Sequence, residues 1–144
     1  MSQEVEFSSR LRAVVAPAQD FAAAATRAVA RRCAPSGRAD ATLMQRHQRA
    51  LHGLAWIATT VEAIDCAARW AERLAAHGRC GDGEQLALTL GVGEYLAQLI
   101  GGVPMSQNEI FRPGEIELDD AAAALRGDAG VRWFITQGGR PETR

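Results

Sequence analysis

Hydrophobic positions recur every three or four residues along most of the chain, which is the period of an amphipathic helix. The first such stretch covers residues 9–33. Pro17 lies inside it and predicts a kink or a helix start, because proline cannot donate a backbone hydrogen bond. The second stretch covers residues 40–77, where Asp40 is suited to cap the helix and Gly78 to end it.

The predicted helix over residues 40–77 carries two apolar stripes. One stripe runs from Leu43 to Ala68, and the other contains Trp56 and Trp70. Two stripes are typical of a central helix that contacts neighbours on two sides. The pattern therefore predicts one long central helix within a bundle.

The rest of the chain predicts shorter elements. A third helix is expected over about 82–100, with Gly91 and Gly93 inside it, where glycines favour close approach of another backbone. A long irregular loop is expected over residues 102–117, and loops of this length are often functional or pack over a partner. Two short helices are predicted to follow, over residues 119–126 and 128–136.

These elements predict an all-α fold, a helical bundle of about four to five helices. No internal repeat and no convincing linker divides the sequence, so residues 1–144 are expected to form a single helical domain. Alanine is the commonest residue and β-branched residues are sparse, which supports helices over sheets.

Composition narrows the class of protein. The net charge is −1, which gives no general reason to expect a nucleic-acid partner. The longest charge-free apolar stretch runs from Ala50 to Val61, too short for the roughly 20 residues that span a bilayer, so no membrane partner is expected. Cys33, Cys66 and Cys80 form no CxxC pair, which favours reduced thiols and a cytoplasmic location.

The sequence offers no convincing catalytic, cofactor-binding or metal-binding motif. His47, His52 and His77 are the only histidines, and none belongs to an ExxH or HExxH pattern. A dinucleotide-binding loop must follow a strand, and neither of the two Gly-x-Gly pairs, Gly81/Gly83 and Gly91/Gly93, follows a predicted strand. Glu94, beside Tyr95, is a candidate interface contact and not a catalytic base.

Charge is distributed unevenly along the chain. Residues 1–50 contain eight arginines and four acidic residues, whereas residues 51–144 contain eight arginines and thirteen acidic residues. A basic N-terminal half could dock on an acidic partner or on the phosphates of CoA, with Arg27, Arg31 and Arg32 as candidate contacts. A solvated arginine-rich face is the alternative.

Two stretches of sequence resemble a known family. They are ALHGLAWIATTVEAI (residues 50–64) and GVGEYLAQLIGGVPMSQNEI (residues 91–110), the second continuing to Arg112 and Pro113. Together they resemble the N-terminal helical extension of methylsuccinyl-CoA dehydrogenase-type acyl-CoA dehydrogenases, over about residues 40–140. The resemblance implies a parent flavoenzyme that dehydrogenates a short branched acyl-CoA between Cα and Cβ, with a glutamate base and FAD.

The resemblance places no catalytic or FAD-binding residue in this chain. It implies that the FAD-binding β-domain and the catalytic glutamate belong to the body of the enzyme, and that this chain is the N-terminal part of such a longer protein. Enzymes of this kind typically continue beyond the point where this sequence ends, at Gly-Arg-Pro-Glu-Thr-Arg.

The resulting expectation is a non-catalytic accessory or assembly domain whose partner is the acyl-CoA dehydrogenase body, in the same chain or a separate one. The candidate interface residues are Gly91, Gly93, Glu94, Tyr95, Pro104, Met105, Ser106, Gln107 and Arg112. The alternatives are a stand-alone helical module that binds acyl-CoA or another small ligand, and a helical homodimer.

Overall fold

The computed structural model describes residues 2–143 and confirms the all-α prediction. Its order of elements is α1 (Gln3–Ala13), α2 (Val15–Cys33), α3 (Ala41–Arg46), α4 (Gln48–Ala76), α5 (Asp82–Gly101), strand β1 (Val103–Ser106), strand β2 (Glu109–Phe111), a 3-10 turn (Pro113–Ile116), α6 (Asp119–Gly127) and α7 (Ala129–Gly138). Across residues 2–143 this gives seven α-helices, more than the predicted four to five, because two predicted helices are each divided.

The predicted helix over residues 9–33 begins earlier and is broken at Val14. Proline at position 17 cannot donate a hydrogen bond to the carbonyl of Ala13, and its ring would collide with that carbonyl in a continuous helix. The break at Val14 places Pro17 in the first turn of α2, where no backbone donor is needed. The prediction of a helix start near Pro17 is therefore confirmed.

The predicted central helix over residues 40–77 is also divided, at His47. Asp40 caps α3, since its carboxylate accepts a hydrogen bond of 3.0 Å from the backbone N–H of Leu43. The backbone at His47 leaves helical geometry, with φ −107° and ψ 29°, although the local sequence has neither proline nor glycine there. The long central helix is thus α4 alone, and it ends as predicted before Gly78, which adopts a φ of +62°.

The predicted irregular loop over residues 102–117 is wrong in part, because it contains a β-hairpin. Val103 pairs with Phe111 and Pro104 pairs with Ile110, antiparallel, around a turn at residues 107–108. Val103 and Phe111 are buried, whereas Pro104 and Ile110 face outward. Helices α5, α6 and α7 lie close to the predicted ranges 82–100, 119–126 and 128–136.

The core lies between α2, α4, α5 and α7. Helix α4 packs against α1, α2 and α5, and α5 packs against α7. The largest fully buried side chains of the core come from all of these helices, from the hairpin and from the 3-10 turn: Leu11, Phe21, Ile57, Ile64, Leu96, Leu99, Phe111, Ile116 and Phe134.

Helix α1 is fixed across α4 by ion pairs. Arg12 reaches Asp65 through Nη1 at 2.5 Å, and its Nε and Nη2 each lie 2.7 Å from an oxygen of Glu72. Asp65 is buried and also accepts a hydrogen bond from Arg69. The buried carboxylate is thus compensated by two guanidinium groups, as burial of a charge requires.

The first and last helices of the described chain, α1 and α7, are in contact. The rings of Phe7 on α1 and Phe134 on α7 are packed edge to face, with centroids 6.1 Å apart. Arg10 lies over the ring of the neighbouring Trp133, 4.5 Å from its centroid. Among residues 2–143, no helix combines the length and apolar character needed to cross a membrane.

Candidate docking surface

The nine residues predicted to form an interface divide into a buried and an exposed group. Gly93 and Met105 are buried within the chain. The exposed group lies on α5, on the hairpin and just beyond it: Gly91, Glu94, Tyr95, Pro104, Ser106, Gln107 and Arg112. That the exposed residues contact a partner stays a prediction.

Gly93 packs against another helix of the same chain and is not available to a partner. A Cβ atom at this position would lie 2.5 Å from the carbonyl oxygen of Phe134 and 3.5 Å from the Cα of Gly138 on α7. A Cβ at Gly138 would lie 2.9 Å from the carbonyl oxygen of Thr89 on α5. The predicted close approach of a second backbone is therefore real, but the second backbone is α7 of the same chain.

Gly91 behaves differently from Gly93 although only one residue separates them. A Cβ at Gly91 would meet nothing within 4 Å. Two residues correspond to about 200° of rotation around a helix, so Gly91 faces away from α7. Tyr95 lies one turn further along α5 on the same side, and its side chain is 40% exposed.

The neighbouring helix α4 adds two large aromatic residues to this part of the surface. Trp56 and Trp70 are 39% and 40% exposed, and Ala63 lies midway between them at intervals of seven residues. Intervals of seven place all three on one side of α4, opposite the buried Asp65. This stripe was predicted to be covered by a neighbouring helix, and the structure leaves its two tryptophans half exposed.

Helices α4 and α5 are joined by residues 77–81 and pack against each other, so they are antiparallel neighbours. Each of these two helices carries at least one aromatic residue that remains about 40% exposed, together with a small residue, namely Ala63 on α4 and Gly91 on α5. We name this set of residues the aromatic face and define it by its members: Trp56, Ala63, Trp70, Gly91 and Tyr95.

Hydrogen bonds order the side chains on and beside the aromatic face. The indole Nε1–H of Trp56 donates to Nε2 of His52 at 2.9 Å. Beside the face, Arg69 donates to Glu62 at 2.8 Å, and this hydrogen bond lowers the pKa of the Glu62 carboxyl. Glu94 accepts a hydrogen bond of 3.1 Å from Gln98. The indole N–H of Trp56, the tryptophan nearer the hairpin, is therefore satisfied within its own helix.

The hairpin is fixed to the start of α4 by Arg49. Its guanidinium donates to Glu115 at 2.7 and 3.1 Å and to the carbonyl oxygen of Ile110 at 2.9 Å. The hydrogen bonds from Arg49 lower the pKa of the Glu115 carboxyl. The exposed pair of Pro104 and Ile110 is thereby held beside the first turns of α4.

The described residues contain no group of metal ligands, and two of the three arginines expected to contact CoA phosphates, Arg27 and Arg32, lie near acidic side chains. Across residues 2–143, no three side chains of His, Cys, Asp or Glu are grouped so that they could hold a metal ion. Arg32, a candidate contact for CoA phosphates, donates to Glu117 at 3.2 Å and to the carbonyl oxygen of Ala28. Arg27 lines a cavity whose wall also contains Asp20 and Asp128, which would repel a phosphate.

Sequence reasoning missed Trp56 and Trp70 as candidate contact residues. Their spacing of fourteen residues was a visible signal, because it places both on one side of a helix. The sequence does not show how far a neighbouring helix covers that side of α4.

Comparison with known proteins confirms the predicted resemblance. No protein-family model matches the chain. The chain is 38% identical over 117 residues to (2S)-methylsuccinyl-CoA dehydrogenase of Cereibacter sphaeroides. The matched part comprises 81% of this chain but 21% of that enzyme, so the chain spans about a fifth of the length of the relative it matches.

Proposed function

We propose that this chain is a non-catalytic accessory domain that assembles with the body of an FAD-dependent acyl-CoA dehydrogenase. The observation that carries the proposal is the unequal coverage: the similarity takes in most of this chain and about a fifth of the enzyme. The other four fifths of such an enzyme are the partner, in the same chain or as a separate chain.

In this proposal the dehydrogenation of a short branched acyl-CoA, such as methylsuccinyl-CoA, takes place on the body. The body would carry FAD and the catalytic glutamate, in the cytoplasm, and this chain would be the N-terminal part of the assembled enzyme. Sequencing the transcript across the codon for Arg144 distinguishes a continuous reading frame from two separate chains.

We assign docking to the aromatic face. Half-exposed Trp and Tyr side chains are the residue types enriched at the centres of protein interfaces, because they bury a large area at low entropic cost. Small residues between the rings, such as Ala63 and Gly91, let an opposing helix approach closely. The outward pair Pro104 and Ile110 extends the apolar surface on the hairpin.

A chimera tests this assignment. The segment of the Cereibacter sphaeroides enzyme that matches this chain is replaced by this chain, and the oligomeric state and bound FAD are measured by light scattering and absorbance. The chimera is expected to assemble, whereas an enzyme that lacks the segment is expected to assemble poorly. Chimeras carrying Trp56→Glu and Trp70→Glu are expected to resemble the truncated enzyme.

Met44→Glu is the matched control, because Met44 is 38% exposed on α3 and lies outside the aromatic face. The proposal fails if the tryptophan variants assemble as well as the Met44 variant. Self-association of the isolated chain, lost in the same tryptophan variants, would favour the homodimer instead.

A further inference from the structure

A cavity at the C-terminal end of α5 combines an apolar floor with two arginines. It has a volume of about 320 Å³ and lies between α5, α6 and α7. Ala97, Ile100 and Ile135 supply the apolar floor, and Arg126 and Arg132 supply the charge. Its position on the α7 side of α5 separates it from the aromatic face.

The two arginines have no acidic partner in the part of the chain that the structure describes. Five other arginines form ion pairs across residues 2–143, namely Arg10, Arg12, Arg32, Arg49 and Arg69. Neither Arg126 nor Arg132 takes part in an ion pair or a side-chain hydrogen bond there. Two guanidinium groups that line one cavity repel each other, and an anion between them would relieve that repulsion.

A second cavity adjoins the first and shares three of its wall residues. Its volume is about 400 Å³, and Ile100, Gly101 and Arg126 line both cavities. It contains a third arginine, Arg112, but also the carboxylate of Asp119. The carboxylate of Asp119 would repel a negatively charged group in the second cavity. The anionic end of a ligand therefore belongs in the first cavity, between Arg126 and Arg132.

From this geometry we infer that the cavity at the end of α5 binds a short aliphatic carboxylate. The carboxylate accepts hydrogen bonds from Arg126 and Arg132, and the alkyl chain lies on Ala97, Ile100 and Ile135. Ligand sites of this kind are mostly apolar, with a few polar groups that fix the orientation. Guanidinium groups match a carboxylate because they donate paired hydrogen bonds.

Hexanoate is the probe for this site. 1-Hexanol is the control that keeps the alkyl chain but has no charge, and acetate is the control that keeps the carboxylate but has only a methyl group. Binding to the purified chain is followed by the methyl NMR signals of Ile100 and Ile135 and by the indole signals of Trp56 and Trp70. Saturable shifts of the two isoleucine signals are expected with hexanoate and not with either counterpart. The indole signals are expected to stay in place.

Three variants locate the binding. Arg126→Gln and Arg132→Gln are each expected to raise the Kd for hexanoate about tenfold, as loss of one charged hydrogen-bonding partner predicts. Gly101→Leu is expected to block the site without changing its charge, because a Cβ there meets nothing within 4 Å and the added side chain would fill the cavity.

Arg31→Gln is the control, because Arg31 is exposed on α2 and forms no ion pair among residues 2–143. Circular dichroism verifies that each variant is folded. The inference is overturned if hexanoate does not saturate the isoleucine signals, if 1-hexanol binds equally well, or if the Arg126 and Arg132 variants bind as the Arg31 variant does. None of these outcomes bears on assembly with a dehydrogenase body.

Discussion

Gly53 on α4 and Phe111 on β2 are in direct contact, and the ring of Phe111 occupies the space that a side chain at position 53 would need. Phe111 is fully buried and comes from the hairpin that follows α5. The single glycine in α4 is therefore the point where the hairpin seats on that helix.

Gly53→Ala is expected to destabilise the chain by about 1–3 kcal/mol, as overpacking does, despite the better helix propensity of alanine. The free energy of unfolding in urea measures the change. In a double-mutant cycle with Phe111→Leu, the double variant is expected to lose less stability than the sum of the two single losses, because the smaller side chain admits the new Cβ. Fully additive losses would contradict the contact.

Gly93 and Gly91 provide a matched pair on one helix. Gly93→Ala is expected to cost about 1–3 kcal/mol, because the new Cβ would collide with the backbone of Phe134 on α7. Gly91→Ala is expected to stabilise the chain by about 0.5–1 kcal/mol, since its Cβ enters open space and alanine favours the helix. Urea unfolding of both variants measures the difference, and equal effects would refute the assigned orientation of α5.

Acidification is expected to weaken the attachment of α1 to α4. The hydrogen bond from Arg12 lowers the pKa of the Glu72 carboxyl below its ordinary value of 4.5. A carboxyl whose pKa is lower in the folded state contributes stability above the unfolded value and loses it as the pH falls through the folded value. The urea concentration at which half of the protein is unfolded is therefore expected to fall as the pH decreases below 4.5.

Glu72→Gln isolates this effect. The variant is expected to be less stable than the parent at neutral pH and to lose less stability on acidification. Glu142→Gln is the control, because Glu142 forms no ion pair within residues 2–143 and its removal is expected to leave the acid-dependent loss unchanged. An equal loss in the Glu72 variant would exclude this carboxylate as a source of the pH dependence.

Asp128 caps α7, since its carboxylate accepts a hydrogen bond of 2.9 Å from the backbone N–H of Val131. Asp128→Ala is expected to cost about 1 kcal/mol, and Asp128→Asn is expected to cost much less because asparagine is also a good cap. Thermal unfolding compares the two variants. Equal losses would show that charge, and not the capping hydrogen bond, stabilises the start of α7.

Helical regions were predictable because local period and capping decide them. The range of α5 and the break near Pro17 follow from neighbouring residues, as does the cap at Asp40. The bend at His47 has no such local cause. It lies two residues before Arg49, whose partners Glu115 and Ile110 are more than sixty positions away in sequence.

The hairpin was missed for a related reason. Its strands have four and three residues, and one of them contains Pro104, so the alternation of buried and exposed side chains is too short to recognise. For the candidate docking surface, the sequence could indicate some of the residues but not which of them face outward. Sequence alone does not distinguish Gly91 from Gly93, because the difference depends on where α7 packs.

The contact between Phe7 and Phe134 determines where a longer polypeptide would join this bundle. Each phenylalanine lies four residues from the outer end of its helix, which is about 6 Å along the helix axis. Phe7 and Thr143 also line one shared cavity. The chain thus enters and leaves on the same side, so a circular permutant joining the two ends needs only a short linker, and a fused domain at either end starts from nearly the same place.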